Sequence, residues 1–168
     1  KDGDSASQTV NLGSGFVFTD DAPTVSMTAA TGVTVTLDET SAGATTNGTF
    51  ATAITATSSA SVLNPTISYG ADGAGSTVYS LTAVTGASGL KTAAGDYSIN
   101  LVQTNSTTVT GTFVDGAGAT KTAFTIVMGT DGKLTVTQNV ALEHNTDGNT
   151  AAAYDDILQL AAGKLTAS

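Results

Sequence analysis

The 168-residue chain is 40% hydrophobic and only 11% charged, with no cysteine and no arginine. Fourteen acids against five lysines give a formal charge of −9, which argues against nucleic acid and anionic membrane surfaces, since both need a basic footprint. Without cysteine there is neither a disulfide framework nor a thiolate metal site, and no apolar run approaches the ~20 residues of a membrane-spanning helix.

What remains is rich in Thr, Ser, Ala, Gly and Asn. Threonine and valine favour strands while glycine and asparagine favour turns, so the expected class is all-β. The length suits one domain with an attached segment. The chain opens on "KDGDSAS" without a signal peptide and reads as an excision from something longer. "SASQTVNLGSGFVF" then looks like one or two strands, and "TDDAPTV" breaks the pattern. Pro23 fixes its own φ and biases Ala22 towards an extended conformation, so residues 19–24 read as a stiff boundary. Residues 1–25 are thus expected to hold a linker and either terminal strands of a preceding unit or a strand returning into this one. Residues 26–168 are expected to form the domain itself.

Period-two alternation recurs beyond the boundary. Val33, Val35 and Leu37 form one set, and Tyr79, Leu81 and Ala83 another. Tyr97, Ile99 and Leu101 follow, then Val109, Gly111 and Phe113, then Phe124, Ile126 and Met128, and last Leu134 and Val136. Each set points one face at a core and a Thr- and Ser-rich face at solvent. Turn signals separate them: "NG" at 47–48, "ADGAG" at 71–75, "AAGD" at 93–96, "DGAGA" at 115–119 and "GTDGK" at 129–133. The Asp-Gly pairs at 115–116 and 131–132 mark hairpins. Roughly ten short strands on this spacing mean a sandwich or a barrel. "TAAAYDDILQL", residues 150–160, gives the one suggestion of a short helix.

Signals for catalysis are weak. His144 is the only histidine and no G-x-S-x-G elbow exists, so the chain is read as no enzyme, and zinc is excluded by ligand supply. A Glu143–His144 acid–base pair is outweighed by a loop histidine hydrogen-bonded at a turn. The acids carry more information, because they stand in pairs: Asp2 and Asp4, Asp20 and Asp21, Asp38 and Glu39, Asp155 and Asp156. Adjacent carboxylates repel, and five lysines cannot neutralise them all. A single such pair is ordinarily a solvated turn. Four pairs, two of them at the expected ends of a domain, point to Ca2+ at one or more, since calcium takes roughly 6–8 oxygen ligands from carboxylates and backbone carbonyls. The spacing is not that of an EF-hand, because "DGD" at 2–4 lacks the third ligand and the terminal glutamate.

"TVTLDETS" at 34–41, "YSLTAVTGASGL", "VTGTFVDGAGATKTAFTIVMGTDGKLTVTQNVALEHN" and "DDILQLAAGKLTAS" together resemble the tandem repeats of giant type I-secreted RTX adhesins. "TDDAPTV" is similar to the Asp-Ala-Pro linkers that join bacterial cadherin-like repeats. The resemblance implies an immunoglobulin/cadherin-like antiparallel β-sandwich, exported and disulfide-free, with calcium at the domain junctions. Such repeats usually continue past "LTAS" into an acidic turn and a closing strand, and "KDGDSASQTV" has that character at the opposite end. Residues 5–12 are therefore expected to pair within this sandwich, in the closing-strand slot.

The leading expectation is a calcium-stabilised extender repeat of a secreted, cell-surface adhesin, serving cell adhesion or biofilm formation. It would be a monomeric module whose partners are neighbouring repeats, with no nucleic acid and no membrane insertion. The alternative is a calcium-dependent module that captures a sugar or peptide on loops around Asp72, Asp115 and Asp147. Sparse aromatics and the absence of tryptophan weigh against it.

Overall fold

The computed structural model describes residues 2–11, 13–40, 43, 45, 47–144 and 158–168, and of Asp72 the backbone alone. Among these, ten strands follow one another: β1 (Thr24–Ala29), β2 (Thr49–Thr57), β3 (Leu63–Ser68), β4 (Leu81–Ala83), β5 (Gly86–Lys91), β6 (Ser98–Asn105), β7 (Thr108–Val114), β8 (Thr120–Met128), β9 (Leu134–Val140) and β10 (Leu165–Ala167). Two 3₁₀ turns, Gly13–Gly15 and Gly70–Asp72, are the only helical pieces described. Six strands form one antiparallel sheet in the order β2-β9-β8-β7-β6-β5, while β1 pairs with β3 and β4 with β10. The all-β class expected from composition, and the antiparallel sandwich that the resemblance implies, are the fold of the described residues.

The alternation in sequence becomes a two-faced sheet. Leu101, Gly111, Phe124 and Gln138 lie in one row across β6, β7, β8 and β9, and Val109, Ile126 and Val136 in the next. Ile99, Leu101 and Val109 are wholly excluded from solvent. Leu63 of β3 and Leu81 of β4 join this core, with Leu165 and Ala167 of β10 packed against it, so the smaller sheets supply the second layer. Gly111 leaves the gap that one ring fills: a Cβ there would stand 2.5 Å from Phe124. The opposite face belongs to threonine. Thr55, Thr137, Thr125 and Thr110 form a row across four strands, and hydroxyls meet at 3.1 Å for Thr55–Thr137 and 2.8 Å for Thr57–Thr135. β-Branched side chains suit the pleat, and their hydroxyls pair across strands where solvent can also reach.

The two expected hairpins form, each through a tight reverse turn closed by a glycine. Asp115 N–H donates to the Ala119 carbonyl and Gly118 N–H to that of Asp115; Gly129, Lys133 and Gly132 repeat the pattern. The residue in the left-handed region is Gly118 in one and Gly132 in the other, with φ of 81° and 75°. This is a three-residue loop, a type I turn ended by a left-handed residue, so Gly118 and not Gly116 carries the requirement.

Three expectations change. Val33, Val35 and Leu37 alternate half-buried with exposed neighbours, as a strand would, but residues 33–39 join no ladder. Their side chains pack while their backbone stays outside the sheets. The described part of the 5–12 segment, residues 5–11, is exposed and pairs with no strand, so it does not close this sandwich. Amphipathic alternation supplies a buriable face but not the edge against which to bury it. The helix suggested at 150–160 falls largely outside the described residues, and residues 158–160 are not helical.

Candidate functional site

The connector is built from residues 20–23, which run directly into β1. Asp20, Asp21, Ala22 and Pro23 are all exposed. The Asp21 backbone N–H donates to Asp20 Oδ1 at 3.0 Å, a contact within the pair itself. Gly70, with φ of 70°, lies against it; the Asp21 carbonyl oxygen and carboxylate both border the place a Cβ would occupy. Only glycine fits that approach, which fixes the connector beside the far end of β3. The described ion pairs use cations elsewhere: Lys91 with Asp96 at 2.8 Å and Lys133 with Asp131 at 4.0 Å.

Asp38 and Glu39, adjacent in sequence, serve different ends. Asp38 is exposed and accepts from the Thr40 N–H at 2.9 Å. Hydrogen bonds from the Thr40 hydroxyl and backbone N–H hold its carboxyl below the ordinary aspartate value. Glu39 is half-buried and turned inward. It accepts from the Leu142 N–H at 3.2 Å and from the Gln138 side-chain amide, and His144 Nε2 stands 4.0 Å away. It therefore ties the extended 33–39 segment to the end of β9, with its oxygens already engaged. His144 faces Glu39 rather than forming an acid–base pair with its neighbour Glu143.

Asp2 and Asp4 are exposed in the N-terminal stretch. Asp155, Asp156 and Asp147 lie outside the described residues, as does the side chain of Asp72. Among the described residues no three His, Cys, Asp or Glu come together in a way that could hold a metal ion. Asp20 and Asp21 alone supply two carboxylates, short of the roughly 6–8 oxygens calcium takes.

A groove of ≈ 710 Å³ opens at one end of the large sheet, lined by Tyr97, Phe113, Asp115, Lys121 and Asn139 among others. Its aromatic surface is largely spent on the protein. Tyr97 stacks on Phe113 with ring centroids 5.9 Å apart and planes 13° from parallel, and Gly95 and Gly116 leave room for the Tyr97 ring and hydroxyl. Asp115 is spent too: its Oδ1 accepts from the Ala117 and Ala119 N–H groups at 3.0 and 2.8 Å and shapes the turn. The sequence pointed to the Asp115 loop but missed Lys121 and Asn139, which reach the groove from neighbouring strands with no local pattern to mark them.

Among the described residues no helix is long and apolar enough to cross a membrane. A family model, Domain of unknown function (DUF5801), matches residues 34–168. No curated protein and no solved structure matches the chain.

Proposed function

We propose that this chain, which belongs to the DUF5801 family, is a structural extender unit of a secreted bacterial adhesin, stiffened by calcium at its N-terminal connector. The observation that carries the reading is the connector itself. Two exposed carboxylates precede a proline, enter β1 without a spacer, and are held against Gly70 by a contact only glycine admits. A joint of this kind limits the angle between successive units before any ion binds. Asp20 and Asp21 would give calcium part of its ligand set, and backbone carbonyls, water or a neighbouring unit the rest. Extracellular modules bind calcium with Kd of ~10⁻⁴ to 10⁻³ M, so such a site fills outside the cell and empties inside it. The resemblance of most of residues 26–168 to RTX adhesin repeats supports the same role.

Melting curves in millimolar calcium, magnesium and EDTA test the reading. An ion bound only by the ordered state adds about 2.7 kcal/mol at a hundredfold excess over Kd. Calcium should raise the melting temperature and magnesium should not, because magnesium demands tighter octahedral geometry and keeps its waters. Identical curves in calcium and EDTA would remove calcium from the account.

A second reading, capture of a sugar or peptide, is favoured by the groove beside Asp115. Its weakness is that Tyr97, the aromatic best placed for a sugar to stack on, is already stacked on Phe113.

A further inference from the structure

Asn47 is the one asparagine in the chain that a glycine follows. The pair is a turn signal, and it is also the asparagine context most open to attack by its own backbone, because glycine has no Cβ to shield the nitrogen beside it. In that reaction the Gly48 amide nitrogen gives up its proton and attacks Asn47 Cγ. The new C–N bond closes a five-membered succinimide, and the side-chain nitrogen leaves as ammonia. Water then opens the ring at either carbonyl. One route gives aspartate, and the other gives isoaspartate, whose main chain runs through the former side chain.

The fold holds that nitrogen back from reaction. Gly48 N–H donates to the Thr45 carbonyl at 2.8 Å, so the proton that has to leave is engaged. Thr45 N–H closes the same turn onto the Thr49 carbonyl at 2.8 Å, and Ala141 N–H donates to the Gly48 carbonyl at 2.7 Å. Gly48 itself has φ of 71°, and a Cβ there would stand 2.8 Å from that of Ala94. The peptide groups on both sides of Gly48 are therefore tied, and swinging its nitrogen onto Cγ requires their release. The tie is short. β2 meets β9 at Thr49 and Val140 and next at Ile54 and Gln138, so the ladder is irregular just past the turn.

We infer that Asn47–Gly48 is a deamidation site gated by this turn, quiet while the start of β2 is docked and converted when it opens. A broken ladder beside the turn lets that end open alone, since local openings need less free energy than global unfolding. Reclosing does not undo the change. Isoaspartate lengthens the main chain by one methylene, so the bonds from Gly48 to Thr45 and to Ala141 no longer fit together. Either product adds a carboxylate to the groove that Asn47 lines with Asp115 and Lys121. Molecules that have opened are thereby marked. The inference stands apart from the calcium reading and does not require it.

Peptide mapping by mass spectrometry tests this on the full chain, held at mildly alkaline pH both folded and in guanidinium chloride. Amide exchange of Gly48 is followed in the folded sample. Both readings require the Gly48 N–H to be released. The slowing of Asn47 conversion by the fold should therefore match the exchange protection of Gly48 within about threefold, and both should be roughly tenfold or more. Phe50 is buried two residues past the site, and Phe50→Ala should speed both readings by one common factor while exchange in β6 to β8 holds. Asn47→Gln, which would have to close a larger ring, should stay unconverted in either state. Equal or faster conversion in the folded chain would overturn the inference. So would a Gly48 amide that exchanges without protection while Asn47 stays intact, or a Phe50→Ala variant that moves one reading and leaves the other.

Discussion

The six-stranded sheet and the N-terminal stretch treat apolar side chains in opposite ways. In the sheet, Ile99, Leu101 and Val109 reach zero exposure, while Val17 and Phe18 ahead of the connector are 82% and 96% exposed. Both regions alternate in sequence and both contain strand formers. The difference is supply of partners: β6 to β9 are joined by short turns that bring each strand against the next, whereas the described residues before β1 join no strand of this body. The sheet buries its apolar side chains within the chain, and the described stretch before it leaves its own exposed.

Mutations should sharpen this contrast. Leu101→Ala should cost about 2–5 kcal/mol, the usual cost of a core leucine truncation, while Val17→Ala should leave stability within about 0.5 kcal/mol. Urea denaturation of the two variants measures both. A comparable loss at Val17 would mean that the N-terminal stretch is part of the cooperative body. Gly111→Ala should come next, at about 1–3 kcal/mol, because the new Cβ overlaps the Phe124 ring in a filled core. Gly70→Ala should cost about 1 kcal/mol or more, from the left-handed backbone together with the clash against Asp21. Its effect should fall on the connector: proteolysis within residues 14–23 should accelerate while the core hydrogen-exchange pattern of β6 to β9 holds.

The smallest effect concerns Asp38. Its carboxyl titrates below its ordinary 3.8 because the Thr40 hydroxyl and N–H stabilise the charged form. A depressed native value adds stability that is fully present above the unfolded pKa and is lost as pH falls through the native one. The carboxylate is fully exposed, so the change is expected in its NMR titration midpoint, which Thr40→Ala should raise, and hardly at all in melting temperature.

The same contrast governs how much could be read beforehand. Hairpins at 115–119 and 129–133 were legible because aspartate and glycine signal a turn by local conformation alone, and the Ile99, Val109 and Phe124 faces because alternation is a local property. Pairing is not local. Val33, Val35 and Leu37 alternate as well as any strand here, yet their backbone joins no sheet, and the inward turn of Glu39 depends on Leu142 and Gln138 roughly a hundred positions away. Nor could Gln103 be recognised as the cap of the β4 edge, since a glutamine in a strand carries no mark of its target. The paired acids illustrate the limit at the candidate site. Adjacency in sequence grouped Asp38 with Glu39, but adjacent residues of an extended chain point to opposite sides, and the two part company.

The central claim is that the connector is a joint between units, stiffened where Asp20 and Asp21 stand. Small-angle scattering from two units joined in tandem tests it most directly, comparing the wild type with the double variant Asp20→Ala, Asp21→Ala in millimolar calcium and in EDTA. The account predicts the greatest maximum dimension for the wild type in calcium, with EDTA and the double variant each giving a shorter mean length. Superimposable profiles in all four conditions would contradict it, and would leave the two aspartates as solvated turn residues.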